Sequence, residues 1–140
     1  PIFDVKGRCV AFGGRTLEPD NPAKYLNSPE TPLYVKGQHL YGLNWAREGI
    51  AREDCAVVVE GYLDFIVPFA AGVTNVVASL GTALTVDQIR LLRRYTRNII
   101  LLFDSDQAGE SAMVRSLDPL IEEGMQARIA SLAAGEDPDS

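Results

Sequence analysis

Asp104 and Asp106 stand one residue apart, directly after the apolar run Ile99-Ile100-Leu101-Leu102-Phe103. Carboxylates that close repel each other, and a carboxylate beside a buried strand is costly to desolvate. Glu60 follows a second apolar run, Ala56-Val57-Val58-Val59; Asp64 comes four residues later, and Asp137 and Asp139 belong to the stretch GEDPD. Carboxylates converging on one dry edge call for a cation among them. Hard oxygen ligands without His or Cys select Mg²⁺, or Mn²⁺ in its place, over zinc or copper. Mg²⁺ leaves coordination positions for substrate phosphates, and a pair of such ions can activate an attacking oxygen and stabilise a leaving one. Ala108-Gly109 permits a close backbone approach, and a helix starting there would offer its positive end to phosphate.

Two plainer readings stand beside this one. Asp at a strand end often caps the following helix, and receiver-like doubly wound domains gather acidic residues at the same edge. The coincidence of Glu60-Gly61, the D-x-D pair and GEDPD favours a shared cause. The residues by themselves point to a divalent-metal-dependent enzyme acting on phosphates.

The elements that must position these groups are legible in the apolar pattern. From residue 56 onward the expected order is β-α-β-α-β-α-β: strands at 56–59, 73–78, 98–103 and 127–132, and helices at 62–71, 86–95 and 107–123. Pro68 should bend or interrupt the first helix, and Thr85 with Gln88 forms a capping-box signature for the second. Alternating strands and helices imply a mainly parallel sheet between helix layers, which binds ligands at the carboxyl ends of its strands. Glu60, Asp104, Asp106, Asp137 and Asp139 all fall at such ends. Asp64 would share a face with Glu60 if the first helix starts early. Before residue 56, residues 1–15 read as a hairpin turning at Lys6-Gly7, residues 16–38 as ordered loop, and residues 40–48 as a short helix.

The chain has 140 residues, 46% of them apolar, and a net charge of −6, enough for one domain with a real core. Residues 1–47 hold six Lys/Arg against four Asp/Glu; residues 48–140 hold seven against fifteen. The acidic second part argues against nucleic-acid binding by charge alone; a metal or the basic first part would have to offset it. Cys9 and Cys55 make no disulfide framework, and with His39 the single histidine, zinc chemistry within the chain is not expected. The longest apolar stretch, 55–73, is interrupted by Glu60 and Asp64, so no membrane span is expected. A soluble, reducing, cytoplasmic setting is expected.

The stretches VVVEGYLD (57–64), LLFDSDQAG (101–109) and GEDPD (135–139) resemble the Toprim fold of bacterial DnaG-type DNA primases. FGGR (12–15), KYLNSPET (24–31), KGQHLYGL (36–43) and ASLGTALT (78–85) resemble stretches of the primase polymerase domain, which topoisomerases do not carry. The resemblance implies an α/β Toprim fold, Rossmann-like, with a mainly parallel four-stranded sheet flanked by helices. Part of a mixed α+β subdomain would precede it, with 1–54 in that subdomain and 55–140 in the Toprim domain.

It also implies a DNA-dependent RNA polymerase that makes short RNA primers from ribonucleoside triphosphates on single-stranded DNA, by metal-assisted attack of a primer 3′-hydroxyl on the α-phosphorus. Glu60, Asp104 and Asp106 would hold Mg²⁺, with Asp64, Asp137 and Asp139 as further or outer ligands. Arg15, Lys24 and Lys36 would meet triphosphate or template phosphates, joined by Asn27 and Ser28. Zinc would belong to a separate module, and the replicative helicase to a separate domain; both are expected to lie outside this chain. The chain is expected to be a monomeric fragment of the polymerase domain, cut at both ends, that binds metal and primes poorly, in a bacterial cytoplasm at the replication fork. The rivals are another Toprim enzyme, a topoisomerase or nuclease, and a non-catalytic Toprim-like binding module. His39 is expected to be a loop hydrogen-bonder; Tyr41, Leu43 and Trp45 to be packing residues; and Arg90, Arg93, Arg94 and Arg97 to form a solvated basic helix face.

Overall fold

The computed structural model describes residues 1–17, 25–80, 83–103, 107–132 and 138, with 107–110 as backbone only. Ala56–Val59 (β5), Val76–Ala78 (β6), Asn98–Leu101 (β7) and Gln126–Ile129 (β8) form one sheet in the order β6-β5-β7-β8. Every neighbouring pair in it is parallel. Strands covered on both faces must be apolar on both, and Val58 and Val59 are each fully buried. Between the strands run Tyr62–Ala70 (α2), Val86–Leu92 (α3) and Gln107–Glu122 (α4), so the expected alternation holds.

The two sheet faces pack into two cores. Ala56, Val58, Val77, Ile99 and Leu101 meet α3, α4 and Leu43–Glu53 (α1) through residues such as Ile50, Leu92 and Leu120. Val59, Val76 and Ala78 meet Phe65 of α2, together with Ile2, Ala11, Tyr34 and Tyr41 from the first part of the chain. Tyr41 also bonds to the outer edge of β6, exchanging backbone hydrogen bonds with Ala78 at 2.9 and 3.0 Å. That contact occupies an edge that would otherwise offer unpaired groups.

The first part holds two short antiparallel pairs: Ile2–Phe3 (β1) with Cys9–Ala11 (β2), and Gly13–Arg15 (β3) with Tyr25–Asn27 (β4). The second pair was not expected; GGR and YLN are too short and too exposed to show an alternating pattern. The loop reading of 16–38 is corrected there, and again at the 3₁₀ turn Lys36–Gln38.

Helix and strand ends shift elsewhere. α1 runs later than the expected 40–48, because Gly42, at φ 83°, provides a left-handed N-cap. A Cβ at Gly42 would also collide with the Phe65 ring. α2 continues through Pro68. The proline removes one intrahelical bond near the end, while Phe65 and Phe69 stack along the helix at 5.0 Å. α3 stops at Leu92, three residues short of expectation, with its capping box formed as read: the Thr85 hydroxyl accepts from Gln88 N–H at 3.1 Å, and Gln88 Oε1 accepts from Thr85 N–H at 3.1 Å. Among the described residues, no helix is long and apolar enough to cross a membrane.

Candidate active site

The sheet order fixes where a crevice opens. The chain leaves β5 toward β6 on one side and leaves β7 toward β8 on the other, so β5 and β7 flank the topological switch point, where open α/β sheets bind ligands. Val58 pairs with Leu101, and Leu102 N–H donates to Val58 O at 2.9 Å. In that register Glu60, leaving β5, lies alongside the chain leaving β7 through Leu102 and Phe103. Glu60 is half-buried there, and Phe103 is buried. Asp104 and Asp106, the next acidic positions, lie outside the described residues, as do Asp137, Asp139 and Lys24.

Asp64 has an identifiable structural task. α2 begins at Tyr62 with Gly61 as its N-cap, so Glu60 is not on the helix and the two carboxylates share no helix face. Asp64 Oδ2 instead accepts from Gly61 N–H at 2.7 Å, satisfying a donor that the helix start leaves open.

At the carboxyl end of β6, buried Leu80 adopts φ 66°. Left-handed backbone is costly for a side chain with a Cβ and is kept where its surroundings over-determine it. The residue type did not signal this strain.

The β3–β4 pair brings the polar candidates to the start of α2. The Arg15 guanidinium lies 5.6 Å from the centre of the Tyr25 ring. Tyr62 donates its hydroxyl to Asn27 Oδ1 at 2.6 Å. Burial pushes the Tyr62 phenol up to about 12, with Tyr34 and Tyr41 adding to the shift, so the hydroxyl keeps its proton. Ser28 is largely committed to closing the pair: its Oγ accepts from Phe12 N–H at 3.0 Å and its own N–H donates to Phe12 O at 2.8 Å. Gly13, Arg15, Tyr25, Tyr41, Tyr62 and Ile66 line a cleft beside these groups. Gly13 must be glycine there, because a Cβ would collide with the Tyr62 ring.

Lys36 arrives by another route. It opens the 3₁₀ turn, its N–H donating to Glu30 Oε1 at 3.0 Å. The turn is fastened to α3, where the Thr85 hydroxyl donates to Gly37 O. Buried Gln88 donates to His39 O at 2.7 Å and to Lys36 O at 3.4 Å. The sequence signals Gln88 only as a helix cap and does not signal Tyr62, because their further partners lie 49 and 35 residues away, beyond any local pattern.

The plainer expectations fare well. His39 bonds Val35 O through Nδ1 at 2.9 Å. Trp45 stacks on Phe65 at 6.2 Å, and Leu43 is buried. The basic helix face is partly neutralised, Arg90 and Arg93 pairing with Glu123 at 2.8 and 2.9 Å.

Among the described residues no three His, Cys, Asp or Glu side chains group closely enough to hold a metal ion, so the fit to a cation rests on donor type. Cys55 precedes β5 whereas Glu60 follows it, so the two lie at opposite ends of the strand, and the His39 ring is engaged with Val35. Carboxylate oxygen, from Glu60, is therefore the donor type that the described part of the crevice offers, and it is one that hard divalent cations take.

Residues 57–140 match the family described as Toprim-like, and residues 1–47 match the N-terminal domain of the DNA primase catalytic core. The chain is 49% identical over 140 residues to a DNA primase of Clostridium acetobutylicum, and 51% over 139 residues to one of Halalkalibacterium halodurans; each comparison covers 99% of this chain and 23% of the relative. It superposes on the Aquifex aeolicus primase, solved with its zinc-binding and RNA polymerase domains, at a TM-score of 0.92 and 43% identity, over 99% of this chain and 34% of that one. A DnaG primase catalytic domain bound to single-stranded DNA gives 0.88 and 46%, over 99% and 44%. The chain thus spans about a quarter of the length of its curated relatives. It belongs to the Toprim-like family, as part of the catalytic core of DnaG-type DNA primases.

Proposed function

We propose that this chain supplies the metal-binding and part of the nucleotide-binding surface of a DNA-dependent RNA polymerase that lays down short RNA primers on single-stranded DNA. The observation that carries the reading is the switch point. Glu60 leaves one central strand beside the chain leading to Asp104 and Asp106, and the β3–β4 pair with Arg15 and Asn27 is bonded to the adjoining helix start.

In this reading residues 1–54 form the C-terminal part of a polymerase subdomain and residues 55–140 a Toprim domain. Glu60, Asp104 and Asp106 hold Mg²⁺, which Mn²⁺ can replace, with Asp137 and Asp139 near the same edge and Asp64 as an outer group that also caps α2. When bound, the ions supply charge neutralisation for the triphosphate and the attacking oxygen. Arg15, Lys24 and Lys36 hold phosphates, with the Asn27 amide and Ser28 contributing polar contacts. The primer 3′-hydroxyl forms a bond to the α-phosphorus, the bond from that phosphorus to the β-phosphate oxygen breaks, and pyrophosphate leaves. Positioning and charge are what the protein contributes.

The test is template-dependent ribonucleotide incorporation by the full-length polypeptide carrying this sequence. Glu60→Gln and Asp104→Asn are each expected to lower incorporation by about 100-fold or more, with an unchanged melting temperature in metal-free buffer and a loss of its rise on adding Mn²⁺. Undiminished incorporation by both variants overturns the assignment. Strand cleavage in place of incorporation points to another Toprim chemistry. Absence of any metal-linked stabilisation of the unsubstituted protein points to a binding module.

A further inference from the structure

Tyr62 sits where the two halves of the chain meet, and its hydroxyl does something specific to Asn27. An amide side chain has one oxygen acceptor and an NH₂ with two donors. Donation from Tyr62 to Asn27 Oδ1 at 2.6 Å fixes which way the amide faces, and directs the Nδ2 donors away from the tyrosine. The tyrosine is itself held. Tyr41 meets its ring edge-on at 4.8 Å, and Tyr25 lies at 6.2 Å. Gly13, the β3 partner of Asn27 in the strand register, leaves bare the space that the Tyr62 ring fills. A ring held by two neighbours, seated in a gap that a Cβ would close, has little freedom to follow a rotating amide.

The geometry points to Tyr62 as a positioning residue for nucleotidyl transfer: it locks the Asn27 amide so that Nδ2 donates to a phosphate of the incoming nucleoside triphosphate, and it fastens the strand pair carrying Arg15 to the helix beginning beside Glu60. This inference rests on the nucleotide role given above to Asn27. Two features argue against a merely structural bond. A tyrosine hydroxyl that only needed a partner could take a backbone carbonyl or water; here it takes a side-chain amide oxygen, whose NH₂ keeps two donors of its own. The glycine that admits the ring also costs β3 conformational entropy, a cost that fits a need for placement.

The experiment is steady-state primer synthesis by the full-length polypeptide with ATP as the varied nucleotide, alongside the melting temperature of each variant. Tyr62→Phe keeps the ring and removes the donor. Its KM for ATP is expected to rise about 5- to 10-fold, more than kcat falls, as for one lost hydrogen bond in a site that binds charge. Asn27→Ala should raise KM about 10-fold, and the double variant should be no worse than Asn27→Ala alone, because the tyrosine acts through the amide. Additive losses, or an unchanged KM for Tyr62→Phe, overturn the inference and leave the nucleotide role of Asn27 standing. An unchanged KM for Asn27→Ala overturns both. Asn27→Asp gives an arm that leaves Tyr62 intact: it keeps an oxygen for the tyrosine and loses the Nδ2 donors. A rise of about 10-fold or more supports donation to phosphate, and an unchanged KM overturns it.

Discussion

The parallel sheet and the paired short strands before it are built on different physics. In the sheet, Val58, Val59, Val77 and Leu101 are fully buried, and the register runs without a break across four strands. Burial of apolar surface holds it, a force that is strong and non-directional. In the first part the strands are two or three residues long, and directional bonds shape the turns. Asp4 receives the backbone N–H groups of Lys6 and Arg8, each at 2.9 Å, and the Arg8 guanidinium at 2.7 Å. Its carboxyl is held below the usual carboxylate range by Arg8 first and then by Lys6. Ser28, Thr31 and Glu30 each tie off a neighbouring backbone N–H in the same way. The sheet gives the crevice its floor, while the bonded loops hold Arg15 and Asn27 beside the start of α2 and Lys36 on a turn fastened to α3. The proposed site would draw on both, since catalytic groups are best held on rigid elements and adaptable ones on loops.

The contrast is broken most severely in the sheet. Leu101→Ala removes a fully buried side chain between α3 and α4 and is expected to cost about 2–5 kcal/mol. Leu26→Ala in β4, where the side chain is 75% exposed, should stay within about 0.5 kcal/mol. Urea unfolding followed by far-ultraviolet circular dichroism reads both. Comparable losses would mean that the first part depends on burial as heavily as the sheet does.

How legible each part was in the sequence follows from the same distinction. Apolar runs bounded by turn residues gave the four parallel strands and their helices because burial leaves a pattern within a few residues of itself. Ends shifted where a single residue decided them: Gly42, with its positive φ, set the start of α1, whereas α2 begins at Tyr62 as expected, capped by Gly61 and Asp64. The β3–β4 pair was not legible because three exposed residues carry no periodicity, and its stabilising bonds join Phe12 to Ser28 and Tyr62 to Asn27 across 16 and 35 residues. At the site, Glu60 was legible as an acid after an apolar strand. The capping task of Asp64 was not, since spacing alone does not say where a helix begins. FGGR was recognisable as a motif, but the reason for its first glycine appears only once the Tyr62 ring is seen against it.

A smaller effect separates the two kinds of order within one region. Gln88 is fully buried yet polar, and it carries the turn that presents Lys36. Gln88→Ala leaves His39 O and Thr85 N–H without the partners they have at 2.7 and 3.1 Å, which is expected to cost about 1–3 kcal/mol. The loss should be local. Amide exchange should accelerate at Gln38 and His39, whose N–H groups bond Val35 O and Lys36 O, while the amides of β5 and β7 keep their protection. Equal acceleration in the sheet would show that the turn and the sheet open as one unit.

The smallest expected effect tests whether the charges outside the crevice matter to the fold at all. Glu123, its side chain 12% exposed, receives Arg90 on Oε1 and Arg93 on Oε2, while the two arginines are 59% and 47% exposed. Half-exposed guanidinium groups are screened by solvent, and pairs of this kind contribute roughly 0.2–1 kcal/mol. Glu123→Gln keeps the size and a hydrogen-bond acceptor but removes the charge, so a loss of about 1 kcal/mol or less is expected, shrinking further in 1 M NaCl. It would also leave the α3 face more basic, adding two unneutralised arginines to Arg94 and Arg97. If that face is solvated and takes no part in binding, the affinity of the full-length polypeptide for a single-stranded oligonucleotide should not change. A tighter complex in the variant, with a steeper dependence on salt, would instead extend the proposed nucleic-acid surface from the loops of the first part onto a helix of the sheet.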